Sequence, residues 1–93
     1  MVVFVIENAP ENLRGELTRW LLETKPGVFI GNVNAVVREK LWEKITGNPN
    51  CLDAIVAFSS NTEQGFDMKM TGNPYRSVVE LDGIKLIKIQ SYQ

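Results

Sequence analysis

Histidine is absent from the 93 residues, and cysteine occurs once, as Cys51. Without an imidazole, a thiol–imidazole catalytic pair and a zinc finger are both excluded. One cysteine cannot close an internal disulfide, and beside Leu52 it reads as a small strand-edge residue. Any metal would have to be a hard cation held by carboxylates, such as Mg2+ or Mn2+. No apolar run approaches the roughly 20 residues of a membrane-spanning helix. No signal-peptide pattern is present either, so a cytoplasmic chain is expected. A basic excess is also missing: ten Lys/Arg stand against eleven Asp/Glu, for a net charge of -1. Nucleic-acid binders usually show such an excess, although clustering counts for more than the sum, and a dimer doubles a modest patch. There is no repeat, no low-complexity tract and no linker. What remains is a chain with 44% hydrophobic residues, typical of globular rather than disordered proteins. Its length suits one two-layer core, so a single domain over residues 1–93 is expected.

The first fifteen residues organise the rest. An apolar run, Val2-Val3-Phe4-Val5-Ile6, stops at Glu7-Asn8. A continuous run of this kind marks a strand buried on both faces and therefore central in its sheet. Such a strand delivers its last residue to the sheet edge where α/β layouts often bind ligands. Two readings of Glu7 and Asn8 follow. Either they act as polar groups at that edge, or Asn8 caps the next helix and Glu7 sits near its positive N-terminal end.

A helix is predicted over residues 10–24, with Pro10 in its first turn. Leu13, Leu17, Trp20 and Leu21 form its buried stripe, and Glu16–Arg19 and Arg19–Glu23 are spaced to pair along it. Arg14 has no acid four residues on; its nearest acids are Glu11 and Glu7. Lys25-Pro26-Gly27 should end this helix. A short strand over 28–33 follows, bent at Gly31. Asn34 then caps a second helix over 35–46, with Val37, Leu41, Ile45 and Trp42 on its apolar side and Arg38, Lys40, Glu43 and Lys44 on a solvated one. Residues 52–60 read as a second strongly apolar strand and residues 66–70 as a half-exposed one, apolar in and polar out. Together they should make an antiparallel hairpin. Gly72-Asn73-Pro74 breaks it, Arg76 lies on a loop, Leu81-Asp82-Gly83 turns, and 84–90 is the last strand.

Two helices can cover only one face of one sheet. The order therefore predicts an α+β protein, a ferredoxin-like two-layer sandwich with an antiparallel-rich sheet and both helices on one side. The last strand carries Ile84 and Leu86 on one face and Ile87 and Ile89 on the other. Either it is a plain edge strand of its own sheet, or it is exchanged or paired in a homodimer.

The polar residues at element ends are Glu7, Asn8, Asn12, Arg14, Glu63, Arg76 and Asp82. A strand-end carboxylate doubled by a two-fold axis could hold a divalent metal for phosphodiester cleavage. Glu63 and Asp82 fall in predicted turns, where acids are common.

Several strings then occur in order with near-constant spacing. They are Glu7-Asn8-Ala9-Pro10, Leu13-Arg14-Gly15, Trp20-Leu21-Leu22-Glu23, Gly27-Val28-Phe29-Ile30-Gly31, Arg38-Glu39 with Leu41-Trp42-Glu43, Asn61-Thr62-Glu63 with Gly65-Phe66, and Leu81-Asp82-Gly83. Over nearly the whole chain this resembles the CRISPR-associated Cas-two proteins of the type I-E branch. The resemblance implies a ferredoxin-like homodimer. In spacer acquisition that dimer sits between two dimers of the CRISPR integrase, Cas-one, and grips the backbone of duplex prespacer DNA. It implies DNA-binding positions at Asn8, Asn12, Arg14 and Arg76. Asn12 departs from the pattern, an amide where a basic residue is expected, which weakens one phosphate contact. Many members are also described as metal-dependent nucleases acting at the acid that ends the first strand, here Glu7, with Mg2+ or Mn2+ as cofactor. The resemblance thus carries two functions, a DNA-positioning adaptor and a metal-dependent endonuclease. The adaptor is preferred, because only Glu7 is placed for catalysis. For the integrase contact, the expected surface is the C-terminal strand and tail, residues 85–93, whose apolar edge suits β-addition.

Overall fold

The computed structural model describes residues 1–51, 53–72 and 76–89, and of Arg76 only the backbone. The expected strand start at Leu52, the Asn73-Pro74 break and the tail beyond residue 89 lie outside the described residues. Seven strands and two helices follow in the order β1 (Val2–Glu7), α1 (Glu11–Thr18), β2 (Leu22–Lys25), β3 (Val28–Gly31), α2 (Ala35–Thr46), β4 (Asp53–Ser59), β5 (Phe66–Thr71), β6 (Arg76–Leu81) and β7 (Ile84–Ile89). The first five strands form one sheet in the order β2-β3-β1-β4-β5, with every pairing antiparallel. This is the ferredoxin-like βαββαβ arrangement extended by β5, as expected, and β1 is central.

Several sequence expectations change. The first helix ends at Thr18, not at residue 24, and residues 22–25 are a strand instead. Pro26-Gly27 therefore turns β2 into β3 rather than stopping a helix. Trp20, expected in the buried stripe, lies past the helix end and is 52% exposed, whereas Leu13, Leu17 and Leu21 are buried. The next strand stops at Gly31 instead of bending there. Arg76 opens a strand, β6, rather than lying on a loop. The second helix has the predicted limits, and the Asn34 side chain accepts the Val37 N–H at 2.9 Å, as a cap should.

The helices pack on one face of the sheet. Val2, Phe4 and Ile6 of β1, Phe29 of β3, and Ala54 and Val56 of β4 meet Leu13, Leu17, Leu21, Leu41 and Ile45 there, all buried. Register puts the alternate residues on the other face: Val3 opposite Ile30 and Ala57, and Val5 opposite Val28 and Ile55. Met68 and Met70 continue that row, opposite Ala57 and Ile55. The β5 alternation is thus the reverse of the one expected. Its apolar side faces away from the helices, and Asp67 and Lys69 lie on the helix side, opposite Phe58 and Val56. Lys69 there pairs with Glu39 of α2, and Arg38 lies 3.6 Å over the Phe58 ring rather than on a solvated face.

β6 and β7 pair with each other in a separate two-stranded sheet, so the last strand is not an edge of the main sheet. Asp82 and Gly83 both have positive φ, 51° and 81°, the conformation that an Asp-Gly two-residue hairpin turn requires. Gln64 ties the hairpin to the β4–β5 turn: its side-chain amide accepts the Lys85 N–H at 2.7 Å and donates to the Lys85 carbonyl at 2.8 Å. No helix of the described residues is long and apolar enough to cross a membrane.

Candidate nucleic-acid interface and carboxylate pair

Glu7 ends the central strand and is exposed. Its position is set by the β2–β3 turn, where the Ile6 N–H donates to the Gly27 carbonyl at 2.8 Å. Only glycine fits that turn. Gly27 has φ +83°, and a Cβ there would stand 2.4 Å from the Ile6 carbonyl oxygen. Across β4, Glu7 stands in register with Asp53. Two carboxylates directly opposite in an antiparallel pair repel. A hard cation would relieve that repulsion, and Mg2+ is commonly held by one or two carboxylates together with waters and substrate phosphate. Were such an ion bound here, Glu7 and Asp53 would be the carboxylates to hold it. Among the described residues, no group of three or more potential ligands occurs. Asp53 escaped the sequence reading because only strand register brings it beside Glu7.

Asn8 does not cap the first helix. The cap position is Pro10, which offers no side-chain hydrogen bond. Asn8 instead takes the left-handed conformation, φ 56°, at the corner between β1 and α1. Asparagine tolerates this conformation better than most residues. It is exposed beside Glu7. Asn12, on the first turn of α1, lines a wide cleft of about 510 Å³ with Glu16, Lys44 and Asn48. Within it Lys44 pairs with Glu16 and holds that carboxyl below its usual range, mainly through their hydrogen bond.

Arg14 has an acid after all. Its Nε lies 3.3 Å from Glu23 Oε2. Glu23 belongs to β2 and stands opposite Phe29, which places it on the helix side of the sheet, facing α1. The pairs expected along one helix, Glu16–Arg19 and Arg19–Glu23, are replaced by Glu16–Lys44 and Arg14–Glu23. Arg14, Glu23, Thr24, Lys25 and Pro26 line a cleft of about 250 Å³. Arg76 lies in register with Ile89 at the start of the hairpin, and its side chain is outside the described residues. Glu63 and Asp82 sit exposed in the two turns expected of them, remote in sequence from Glu7. Cys51 is partly buried, and burial pushes its thiol pKa up, which argues against a reactive nucleophile.

The molecule is a ferredoxin-like α+β protein whose central strand ends in a carboxylate and whose first helix lines a cleft with Arg14. Residues 1–86 match the family described as CRISPR-associated protein (Cas_Cas2CT1978), and the chain belongs to that family. Its role therefore lies in CRISPR defence.

Proposed function

We propose that the chain is the adaptor subunit of the CRISPR spacer-acquisition complex. Acting in the cytoplasm as a homodimer, it positions duplex prespacer DNA and bridges integrase dimers. The observation that carries the DNA contact is Arg14, partly exposed at the cleft it lines with Glu23, Thr24, Lys25 and Pro26. Asn8, exposed at that corner, and Asn12, on the same helix as Arg14, extend the contact to neighbouring phosphates, and Arg76 adds a second cation. Phosphate contacts of this kind fix position and register rather than sequence.

Self-association is supported by apolar surface that a single chain leaves open. Val5 is 43% exposed and Leu22 67% exposed on the sheet face away from the helices. Ile84, Leu86 and Ile89 are exposed on the β6–β7 hairpin. A two-stranded hairpin is marginal without something to pack on. A second copy covering these residues would stabilise both, and the β7 edge suits addition to an integrase strand.

The second reading, a metal-dependent endonuclease, is favoured by the Glu7–Asp53 register pair. With Mg2+ or Mn2+ bound, the ion would polarise a phosphodiester and activate water. One experiment separates the two. Glu7→Gln is close to isosteric and removes the carboxylate. Reconstituted spacer insertion with the integrase and a short duplex should proceed at the parent level. If insertion collapses while the complex still assembles, metal chemistry at Glu7 is required and the adaptor-only reading fails.

A further inference from the structure

Glu23 Oε2 has two partners. It accepts the Gly27 N–H at 3.0 Å and lies 3.3 Å from Arg14 Nε. The Nε atom is closed off from solvent and makes no aligned hydrogen bond. The contact is thus Coulombic and made through one nitrogen, unlike the two-bond fork that arginine and carboxylate usually prefer. The Arg14 side chain is nevertheless 43% exposed. Its terminal amino groups, which carry the remaining donors, are the part left open to the cleft.

We propose that Glu23 is a positioning residue for duplex binding and at the same time its brake. It holds the Arg14 guanidinium at the cleft through Nε, and its negative charge opposes the phosphodiester that the free end of that guanidinium receives. Glu23 thereby sets the strength of backbone binding without touching the nucleic acid. This rests on the reading of Arg14 as a phosphate contact. The charge is built into the fold: the hydrogen bond to Gly27 anchors Glu23 to the turn that also sets the end of β1.

The test uses the full chain and a short fluorescein-labelled DNA duplex, with anisotropy titrations across a salt series. Glu23→Gln keeps an acceptor for the Gly27 N–H and for Nε and removes only the charge. It should tighten binding by about three- to tenfold at low salt, and the gain should shrink as salt screens the charge. Glu23→Ala also releases Arg14, so its gain should be smaller than that of the glutamine variant. Arg14→Ala should weaken binding and flatten the slope of log affinity against log salt by about one to two units, counting one or both copies in a dimer. In the Arg14→Ala background, Glu23→Gln should add nothing. Three results overturn the proposal. If Glu23→Gln binds no tighter than the parent while Arg14→Ala weakens binding, Glu23 is only a structural anchor and Arg14 keeps its role. If the gain persists without Arg14, the charge acts on the duplex generally and not through Arg14. If Arg14→Ala changes nothing, the reading of Arg14 falls and the proposal falls with it.

Discussion

The five-stranded sheet has two apolar faces and one layer of helices. On the covered face Val2, Phe4, Ile6, Phe29, Ala54 and Val56 are buried. On the other, Val3, Val5, Val28, Ile30, Ile55, Ala57, Met68 and Met70 share a surface that neither α1 nor α2 covers. The same strands supply both faces, so the difference does not come from strand composition. A strand run apolar at every position, such as Val2-Val3-Phe4-Val5-Ile6, asks for two partners, and α1 and α2 provide one. Most of these residues are only half-buried and Val5 is 43% exposed, so this face supports the self-association proposed above.

The largest effect is expected on the covered face. Phe4 is fully buried opposite Phe29 and Val56. Phe4→Ala should cost about 3–5 kcal/mol. That is a large share of the roughly 5–14 kcal/mol that a chain of this length has to lose. A urea titration followed by far-UV circular dichroism should show the midpoint fall steeply. A loss below about 1 kcal/mol would mean that this face is not the core.

The open face should answer differently. Val5→Lys combined with Leu22→Lys places charge where a single chain meets solvent, so the circular dichroism spectrum should stay folded. Light scattering should shift from dimer to monomer, because two lysines per copy would be buried without partners in the interface. A double variant that remains a dimer would remove this face from the self-association and leave the β6–β7 hairpin to carry it.

The smallest effect lies where the covered face turns polar. The Glu39 carboxyl is held below its ordinary value of 4.5, first by its hydrogen bond to Lys69 and also by Arg38, against a desolvation that raises it. A carboxyl pKa lowered by folding stabilises the protein above the unfolded value. That contribution fades as pH falls through the folded value. Both partners are partly exposed, so Glu39→Gln should cost only about half a kcal/mol at pH 7. The cost should shrink as pH falls below 4.5 and vanish once pH lies below the lowered folded value. Parallel thermal melts of parent and variant at neutral and acid pH should converge, and a gap that widened in acid would contradict the pairing.

Much of this was legible in the chain. Asn34 at the start and Gly47 at the end bracket α2 because a cap and a helix stop are local chemistry. The β1 run, the β4–β5 hairpin and the Asp82-Gly83 turn were readable for the same reason. The end of the first helix is not legible in the chain, because Trp20 and Leu21 continue the spacing of Leu13 and Leu17 past Thr18. Periodicity does not register that Gly15 and Thr18 weaken the helix, or that Leu22 gains a strand partner in Ile30. The direction of the β5 side chains is not legible in the chain, because alternation identifies two faces without saying which one the helices cover.

The residue pattern alone decided the element types, the antiparallel-rich α+β class and the presence of more apolar surface than two helices can bury. Each of these depends on neighbours within a turn or a strand. The chain reversal at Pro26-Gly27 and the register of β1 against β4 decided the rest. They bring Glu23 to Arg14 from nine positions away and Asp53 to Glu7 from the far side of α2. Charges interact through space, at distances that sequence separation does not measure, so the electrostatics of the site exist only once the sheet has formed.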